Sequence, residues 1–280
     1  MTVAVVTDST ASLDPEDAER EGITVVPVSV IVGHRVFTQG VDVSSQRIAE
    51  ALAARTPVST SRPSPEMFQS VYEALAATGA EAIVSVHISS KVSGTVDAAR
   101  MAAERVDVPV HVVDTLQVGL GTGFAAGRAA RERDAGASPE QIVAAAERAA
   151  RSARVLLYVD TLEYLRRGGR IGRAAALIGS ALAVKPILTI EDGVVAPLEK
   201  VRTSTRALAR LADLAAQTVQ TYDGDYDIGV QHLASPDVAA SMAKTLAERL
   251  GRDAVPVDEV GADIAAHVGP GAIAVTVCGH

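Results

Sequence analysis

Alternation between two kinds of segment constrains the fold of this chain more than any other feature of its sequence. Short runs rich in Val and Ile predict β-strands at 3–7, 23–32, 82–87, 108–113, 155–159, 187–190, 226–231 and 273–277. Ala-rich amphipathic stretches predict helices at 44–54, 65–78, 96–104, 121–135, 138–152, 161–167, 173–181, 204–222 and 236–250. Strands that alternate with helices are typical of βαβ units, so we predict an α/β fold with mainly parallel sheets.

The chain length allows two modest domains, because 280 residues exceed the usual size of one. The rhythm of the sequence changes after the helix predicted at 138–152, where a Gly- and Arg-rich corner and an Asp192-Gly193 turn signal follow. We therefore predict an N-terminal α/β domain at 1–152 and a C-terminal α/β domain at 153–280.

Three Ser-Pro pairs mark predicted helix starts. They are Ser64-Pro65, Ser138-Pro139 and Ser235-Pro236. Ser is a favoured capping residue and Pro is well tolerated at the first helical position, so each Ser is predicted to cap its helix.

Charge and cysteine content exclude several classes of partner. The formal net charge is −8, which argues against nucleic acid or an anionic membrane as the main partner. Cys278 is the single cysteine, so no internal disulfide forms and a reducing compartment is indicated. The longest apolar run, at 174–184, falls short of the roughly 18 residues that span a bilayer. We expect a soluble cytoplasmic protein without a metal or cofactor.

A turn crowded with hydroxyl groups lies between the strand predicted at 82–87 and the helix predicted at 96–104. It carries Ser89, Ser90, Ser93 and Thr95, with Gly94 permitting close approach of the backbone. A helix cap needs one hydroxyl, whereas this turn offers four. Hydroxyls and free N–H groups at a helix N-terminus bind anions, so the turn predicts a site for phosphate or carboxylate.

Two further segments carry side chains that can hydrogen-bond an anion. Thr60 and Ser61 lie upstream of the predicted cap Ser64, and capping does not use them. His267 precedes a Gly-Pro-Gly turn, and its imidazole can donate to a carboxylate or, when protonated, pair with it.

Arginine is concentrated in one stretch of this acidic protein, at 164–173. A helix C-terminus explains Arg166 and Arg167 but leaves Arg170 and Arg173 without a role. Arg is suited to planar contacts with carboxylate or phosphate, which makes this stretch a second candidate for anion binding.

The residues alone leave other functions open. Ser93 and His267 could act as nucleophile and base of a hydrolase or acyltransferase, although no acid is placed to orient His267 and no G-x-S-x-G elbow is present. A binder of phosphate or of a sugar phosphate could use the same turns together with Arg170 and Arg173.

Nine short stretches, in order, resemble the DegV family. They are Thr7-Asp8-Ser9-Thr10, Val26-Pro27-Val28, Asp114-Thr115 and the segments 60–65, 88–95, 119–123, 162–172, 185–188 and 267–271. The sequence departs from the family pattern at Gln39, where an acidic residue is usual, and at Arg62, where Gln is common. Arg62 could add a charge near a ligand head group.

The resemblance implies a ligand and a partner. Proteins of this family bind one long-chain fatty acid, such as palmitate, between two α/β domains, and some are the FakB subunit of bacterial fatty acid kinase. FakB presents the acyl carboxylate to the ATP-binding FakA subunit and has no turnover of its own. Carried onto this chain, the implied carboxylate ligands are Thr60, Ser93 and nearby His267, supported by Ser61 and the Gly94 backbone. Arg170 and Arg202 would face the kinase or the phosphate.

Overall fold

A computed structural model describes residues 1–178 and 185–280. The strands are β1 (Val3–Asp8), β2 (Ile23–Val26), β3 (Ser29–Val32), β4 (Arg35–Thr38), β5 (Val58–Ser61), β6 (Ala82–His87), β7 (Val110–Asp114), β8 (Arg154–Tyr158), β9 (Lys185–Glu191), β10 (Val194–Val201), β11 (Tyr226–His232), β12 (Val257–Glu259) and β13 (Ile273–Gly279).

The helices alternate with these strands along the chain. They are α1 (Pro15–Arg20), α2 (Ser45–Ala53), α3 (Pro65–Ala77), α4 (Thr95–Ala103), α5 (Leu120–Asp134), α6 (Pro139–Ser152), α7 (Glu163–Arg167), α8 (Ser204–Val219), α9 (Pro236–Leu250) and α10 (Ala262–Val268), with 3-10 turns at Ser9–Ala11 and Gly172–Leu177. None of the helices at 1–178 and 185–280 is both long and apolar enough to cross a bilayer. The helix predicted at 173–181 is a 3-10 helix over its first part, and residues 179–181 lie outside the described residues.

The first sheet is parallel, in the order β2-β1-β6-β7, as the sequence predicts. Every residue of β6 is buried, because helices cover both faces of the sheet. Val84 and Val86 pack with α5 and α6, whereas Ile83 packs with Phe68 and Tyr72 of α3. A strand that is buried on both faces reads as a continuous apolar run, which explains why this sheet could be predicted.

The second sheet corrects the prediction of mainly parallel strands. Its order is β10-β9-β8-β13-β11-β12, and every pair except β11 with β12 is antiparallel. Asp192 and Gly193, both with positive φ, join β9 to β10 in a tight hairpin, and strands joined by so short a turn run antiparallel. β13 returns from the end of the chain to lie between β8 and β11.

A third, antiparallel sheet has the order β4-β3-β5. The prediction of a single strand at 23–32 is wrong. The first strand ends before Pro27, and the residues on either side of Pro27 belong to two different sheets. Val30 and Ile48 from this region share a hydrophobic core with Leu157 and Leu188 of the second sheet. The stretch 29–61 therefore packs on elements from beyond residue 153, and the division into 1–152 and 153–280 stays a prediction.

Two of the three predicted serine caps are confirmed. Ser64 accepts from the Met67 amide, and Ser138 forms a capping box with Gln141. The prediction for Ser235 is wrong, because its side chain makes no capping hydrogen bond. Its backbone N–H instead donates to Nδ1 of His232, at 3.4 Å.

Candidate functional site

The hydroxyl turn connects the end of β6 to the start of α4, and its hydroxyls have different roles. Ser89 donates to the Gly193 carbonyl (2.7 Å) and so fixes the turn to the β9–β10 hairpin. Ser93 Oγ lies 2.8 Å from Thr95 Oγ1. The N-cap of α4 is Gly94, which has no side chain to cap the helix, and the Thr95 amide donates to Ser93 Oγ at 3.4 Å. Spare donor capacity at a helix N-terminus is suited to an anion.

Thr60 and His267 lie far apart in sequence and meet in the structure. Thr60 belongs to β5 and His267 to the last turn of α10, which packs against β5 and β3. Thr60 Oγ1 is 3.0 Å from His267 Nε2. The small third sheet thus brings Thr60 of β5 to α10.

A cavity of about 470 Å³ lies where these elements meet. Its polar lining residues are Thr10, Thr60, Ser61, Arg62, Ser93, Gly94, Arg170, Asp263 and His267. Its apolar lining residues are Val28, Ile88, Val92, Val118, Leu157, Leu165, Ile190, Val195, Ile264 and Val268. A volume of this size falls in the range of roughly 300–1,000 Å³ that is usual for small-molecule sites.

The structure gathers the predicted site residues around this cavity, with one exception. Thr60, Ser61, Ser93, Gly94, Arg170 and His267 all line it. Arg202 is exposed just after β10 and is not among the lining residues. The walls also draw on both predicted domains, since the lining runs from Thr10 to Val118 and from Leu157 to Val268.

His267 is held in its neutral form. Burial, together with the charge of Arg170, lowers the pKa of His267 to about 4. Nδ1 is buried and has no hydrogen-bond partner among the described residues. An unpaired buried N–H is rarer than an unpaired acceptor, so we place the proton on Nε2, where it is donated to Thr60 Oγ1. The Thr60 hydroxyl is then free to donate into the cavity.

Two guanidinium groups give the cavity a positive charge. Arg170 donates from Nε to the Val92 carbonyl (3.0 Å) and from Nη1 to the Gly168 carbonyl (2.7 Å), which fixes its position. Arg62 packs directly on Gly94, where a β-carbon would clash with its guanidinium. Within the described part of the chain, the Arg62 side chain makes no hydrogen bond or ion pair.

Asp263 is a lining residue that the sequence analysis missed. It is 2% exposed, accepts from Ser9 Oγ at 2.6 Å and from the Ile264 amide at 2.7 Å, and burial raises its pKa to about 6. Asp263 and His267 are four residues apart, so they share one face of α10. That spacing is a usable signal, but only for a segment already predicted to be helical, and α10 was not.

A hydrogen-bonded series of polar side chains is buried between the first sheet and α3. Ser85 Oγ lies 2.7 Å from His87 Nε2, and His87 Nδ1 lies 2.8 Å from Asp8 Oδ2. The order resembles a hydrolytic triad, but all three side chains are fully buried and Ser85 also bonds to the Tyr72 hydroxyl (2.8 Å). No substrate can reach Ser85 in this arrangement, so we assign these three side chains a structural role.

Comparison with known proteins gives consistent matches over the whole chain. A family model described as an uncharacterised protein of the DegV family matches residues 2–280. A DegV domain-containing protein from Streptomyces coelicolor is 50% identical over 98% of both chains. A fatty-acid-binding DegV family protein from Thermus thermophilus has a TM-score of 0.93 at 33% identity, covering 99% of both chains. DegV, a fatty acid binding protein from Bacillus subtilis, has a TM-score of 0.91 at 31% identity, also covering 99% of both.

Proposed function

The chain belongs to the DegV family, and we propose that it binds one long-chain fatty acid, such as palmitate, in the cavity between its two predicted domains. The observation that carries this proposal is the division of the cavity lining into a hydroxyl- and Arg-rich set and an aliphatic set. Burial of a saturated C16 chain contributes about 11 kcal/mol before the costs of ordering and association, at ~0.8 kcal/mol per CH₂.

The hydroxyl-rich set is suited to a carboxylate. In our proposal Thr60 and Ser93 donate their hydroxyl protons to the carboxylate oxygens, and Ser61 and the Gly94 backbone support them. Neutral His267 orients Thr60 through the 3.0 Å contact. Arg170 supplies a positive charge whose position is fixed by two backbone carbonyls. Donors of this kind stabilise a buried carboxylate without requiring a full ion pair.

The proposed role is presentation of the acyl carboxylate to a FakA-type kinase subunit in the cytoplasm, without catalysis by this chain. Arg202 is exposed and does not line the cavity, so its side chain is available to contact a partner. Arg170 lines the cavity, and its positive charge is suited to stabilising the acyl phosphate as it forms. The hydrolase alternative gains no support from the geometry, because Ser93 bonds to Thr95 and His267 bonds to Thr60.

The carboxylate site is tested by removing its hydroxyls. Thr60→Val combined with Ser93→Ala should weaken palmitate binding at least about tenfold, because each lost donor to a charged group costs on the order of 1.5–3 kcal/mol. Isothermal titration with delipidated protein measures the affinity. Ser90→Ala, in the same turn but outside the cavity lining, is the matched control and should bind as the parent does. Unchanged affinity in the double variant, or tighter binding of a sugar phosphate than of palmitate, would overturn the proposal.

A further inference from the structure

Two consecutive residues mark the open end of the main cavity. Among the described residues that line it, Ser61 and Arg62 are exposed, whereas all the others are buried or half-buried. The residue before them, Thr60, is the one that contacts His267. The cavity therefore meets solvent beside its hydroxyl-rich end, and the Arg62 side chain lies at that opening.

The Arg62 guanidinium lies directly on Gly94. A β-carbon at Gly94 would be 3.0 Å from both Cδ and Cζ of Arg62 and would clash with Nη1. The backbone itself does not require glycine here, because the φ of Gly94 is −85°, which other residues also adopt. The absence of a side chain at this position thus makes room for the guanidinium, next to Ser93 and the N-terminus of α4.

The protein does not use the hydrogen-bonding capacity of this guanidinium. Arg170, the other arginine of the lining, donates to the carbonyls of Val92 and Gly168. Arg62 makes no hydrogen bond or ion pair with any residue that the structure describes. The buried carboxylate of Asp263 is no partner for it, since it accepts from Ser9 and from the Ile264 amide. The five N–H donors of Arg62 are therefore available to a ligand.

We infer that Arg62 is a specificity residue for the charge of the head group, which forms a bidentate ion pair with the ligand carboxylate and selects ionised acids over neutral lipids of equal chain length. This inference rests on the proposed fatty-acid binding and adds a partner that the hydroxyl donors do not supply. Hydroxyls donate to a neutral carbonyl oxygen as well as to a carboxylate. A guanidinium instead matches the two charged oxygens of a carboxylate in one plane.

A solvated arginine without a binding role is the competing interpretation. Ion pairs between two exposed, mobile side chains contribute little to stability, because water screens them and both chains lose freedom. Here the guanidinium is already packed on Gly94, and the proposed carboxylate is held by the half-buried Thr60 and Ser93. The geometry therefore favours a pair of moderate strength.

The first test compares palmitate with hexadecanamide, whose head group has the same shape and no charge. In displacement titrations on delipidated full-length protein, Arg62→Gln should weaken palmitate binding about fivefold, as expected for a partly exposed ion pair, and leave hexadecanamide binding unchanged. Gly94→Ala, which displaces the guanidinium and keeps Arg62, should also lower the ratio of the two affinities. Arg100→Gln removes an exposed arginine of α4 that does not line the cavity and is the matched control.

A second test measures the pKa of the bound carboxyl group by NMR, with palmitate labelled with ¹³C at its carboxyl carbon. A positive charge within hydrogen-bond distance favours the ionised form, so Arg62→Gln should raise this pKa by about one unit. Arg62→Lys keeps the charge and should restore most of the difference. A purely structural role of Arg62 would leave the pKa of the ligand unchanged.

The outcomes separate this inference from the proposed function. If the parent and Arg62→Gln bind palmitate equally, or if palmitate and hexadecanamide lose affinity to the same extent, the inference is overturned while fatty-acid binding stands. An unchanged pKa of the bound carboxyl group in Arg62→Gln also overturns it. If the parent binds no palmitate, the proposed function itself fails.

Discussion

The pKa values of two side chains on one face of α10 are shifted in opposite directions. Burial raises the pKa of Asp263 to about 6 and, with the charge of Arg170, lowers the pKa of His267 to about 4. Near neutral pH, Asp263 is ionised and His267 is neutral. The cavity thus holds two guanidinium charges and one buried carboxylate. Its net charge is positive, and a ligand carboxylate would lie near this charge and the neutral donors.

Asp263→Asn should stabilise the fold at neutral pH. The folded-state pKa of Asp263 lies above the usual aspartate value of 3.8, so ionisation disfavours folding. That penalty is absent below about pH 4 and complete above about pH 6, which means that stability falls as pH rises through this window. Removing the carboxylate should add on the order of 2–3 kcal/mol at neutral pH and nothing below about pH 4. Urea unfolding as a function of pH measures this difference.

The control for Asp263→Asn is Asp253→Asn, which removes an exposed carboxylate. It should leave the pH dependence of stability unchanged. A raised pKa of Asp263 is contradicted if Asp263→Asn unfolds at the same or a lower urea concentration than the parent at neutral pH.

Among single residues, the hydroxyl side chains of the site could be predicted from the sequence, but the contacts that bring them together could not. The turn at 89–95 offers more hydroxyls than one helix cap needs, and the structure places one of them, Ser93, in the cavity wall. The contact between Thr60 and His267 spans 207 residues, and no local pattern encodes a contact of that range. Only the family resemblance grouped these two residues in advance.

At the scale of elements, the end of α7 sets the position of His267. Gly168 caps α7 with helical backbone angles, and a β-carbon there would clash with His267 Nδ1. Gly168→Ala should therefore displace the imidazole without straining the backbone. We expect fatty-acid affinity to fall about tenfold, as loss of the hydrogen bond that orients Thr60 implies, with a smaller change in melting temperature.

Gly224→Ala is the matched control for this change, because a β-carbon at Gly224 meets no atom within 4 Å. Titration of both variants with palmitate, beside their melting curves, measures the two effects. Equal affinities for the two variants would mean that the position of His267 does not matter for binding.

Strands that are buried on both faces could be predicted, and short or polar strands could not. β6 is buried throughout and mostly apolar, whereas β5 is Val-Ser-Thr-Ser and resembles a loop. Strand direction in the second sheet depends on tertiary pairing with β13, which returns from the end of the chain, so alternation with helices could not predict it. The hairpin was the exception, because Asp-Gly favours a tight turn locally.

At the scale of the whole molecule, the cavity depends on contacts between distant parts of the chain. Ser89 of the hydroxyl turn bonds to the hairpin carbonyl of Gly193, and Arg170 bonds to the Val92 carbonyl of the same turn. Both contacts join residues before 152 to residues after 153. These two hydrogen bonds therefore help to hold the walls of the cavity in place.

We propose that this cavity holds one long-chain fatty acid. Native mass spectrometry of the purified full-length protein tests it most directly, with denaturing spectra and organic extraction to identify what is released. We expect a non-covalent adduct of one fatty acid per chain, which is lost on denaturation and depleted in the Thr60→Val, Ser93→Ala double variant. A ligand-free protein that also takes up no added palmitate would contradict the claim.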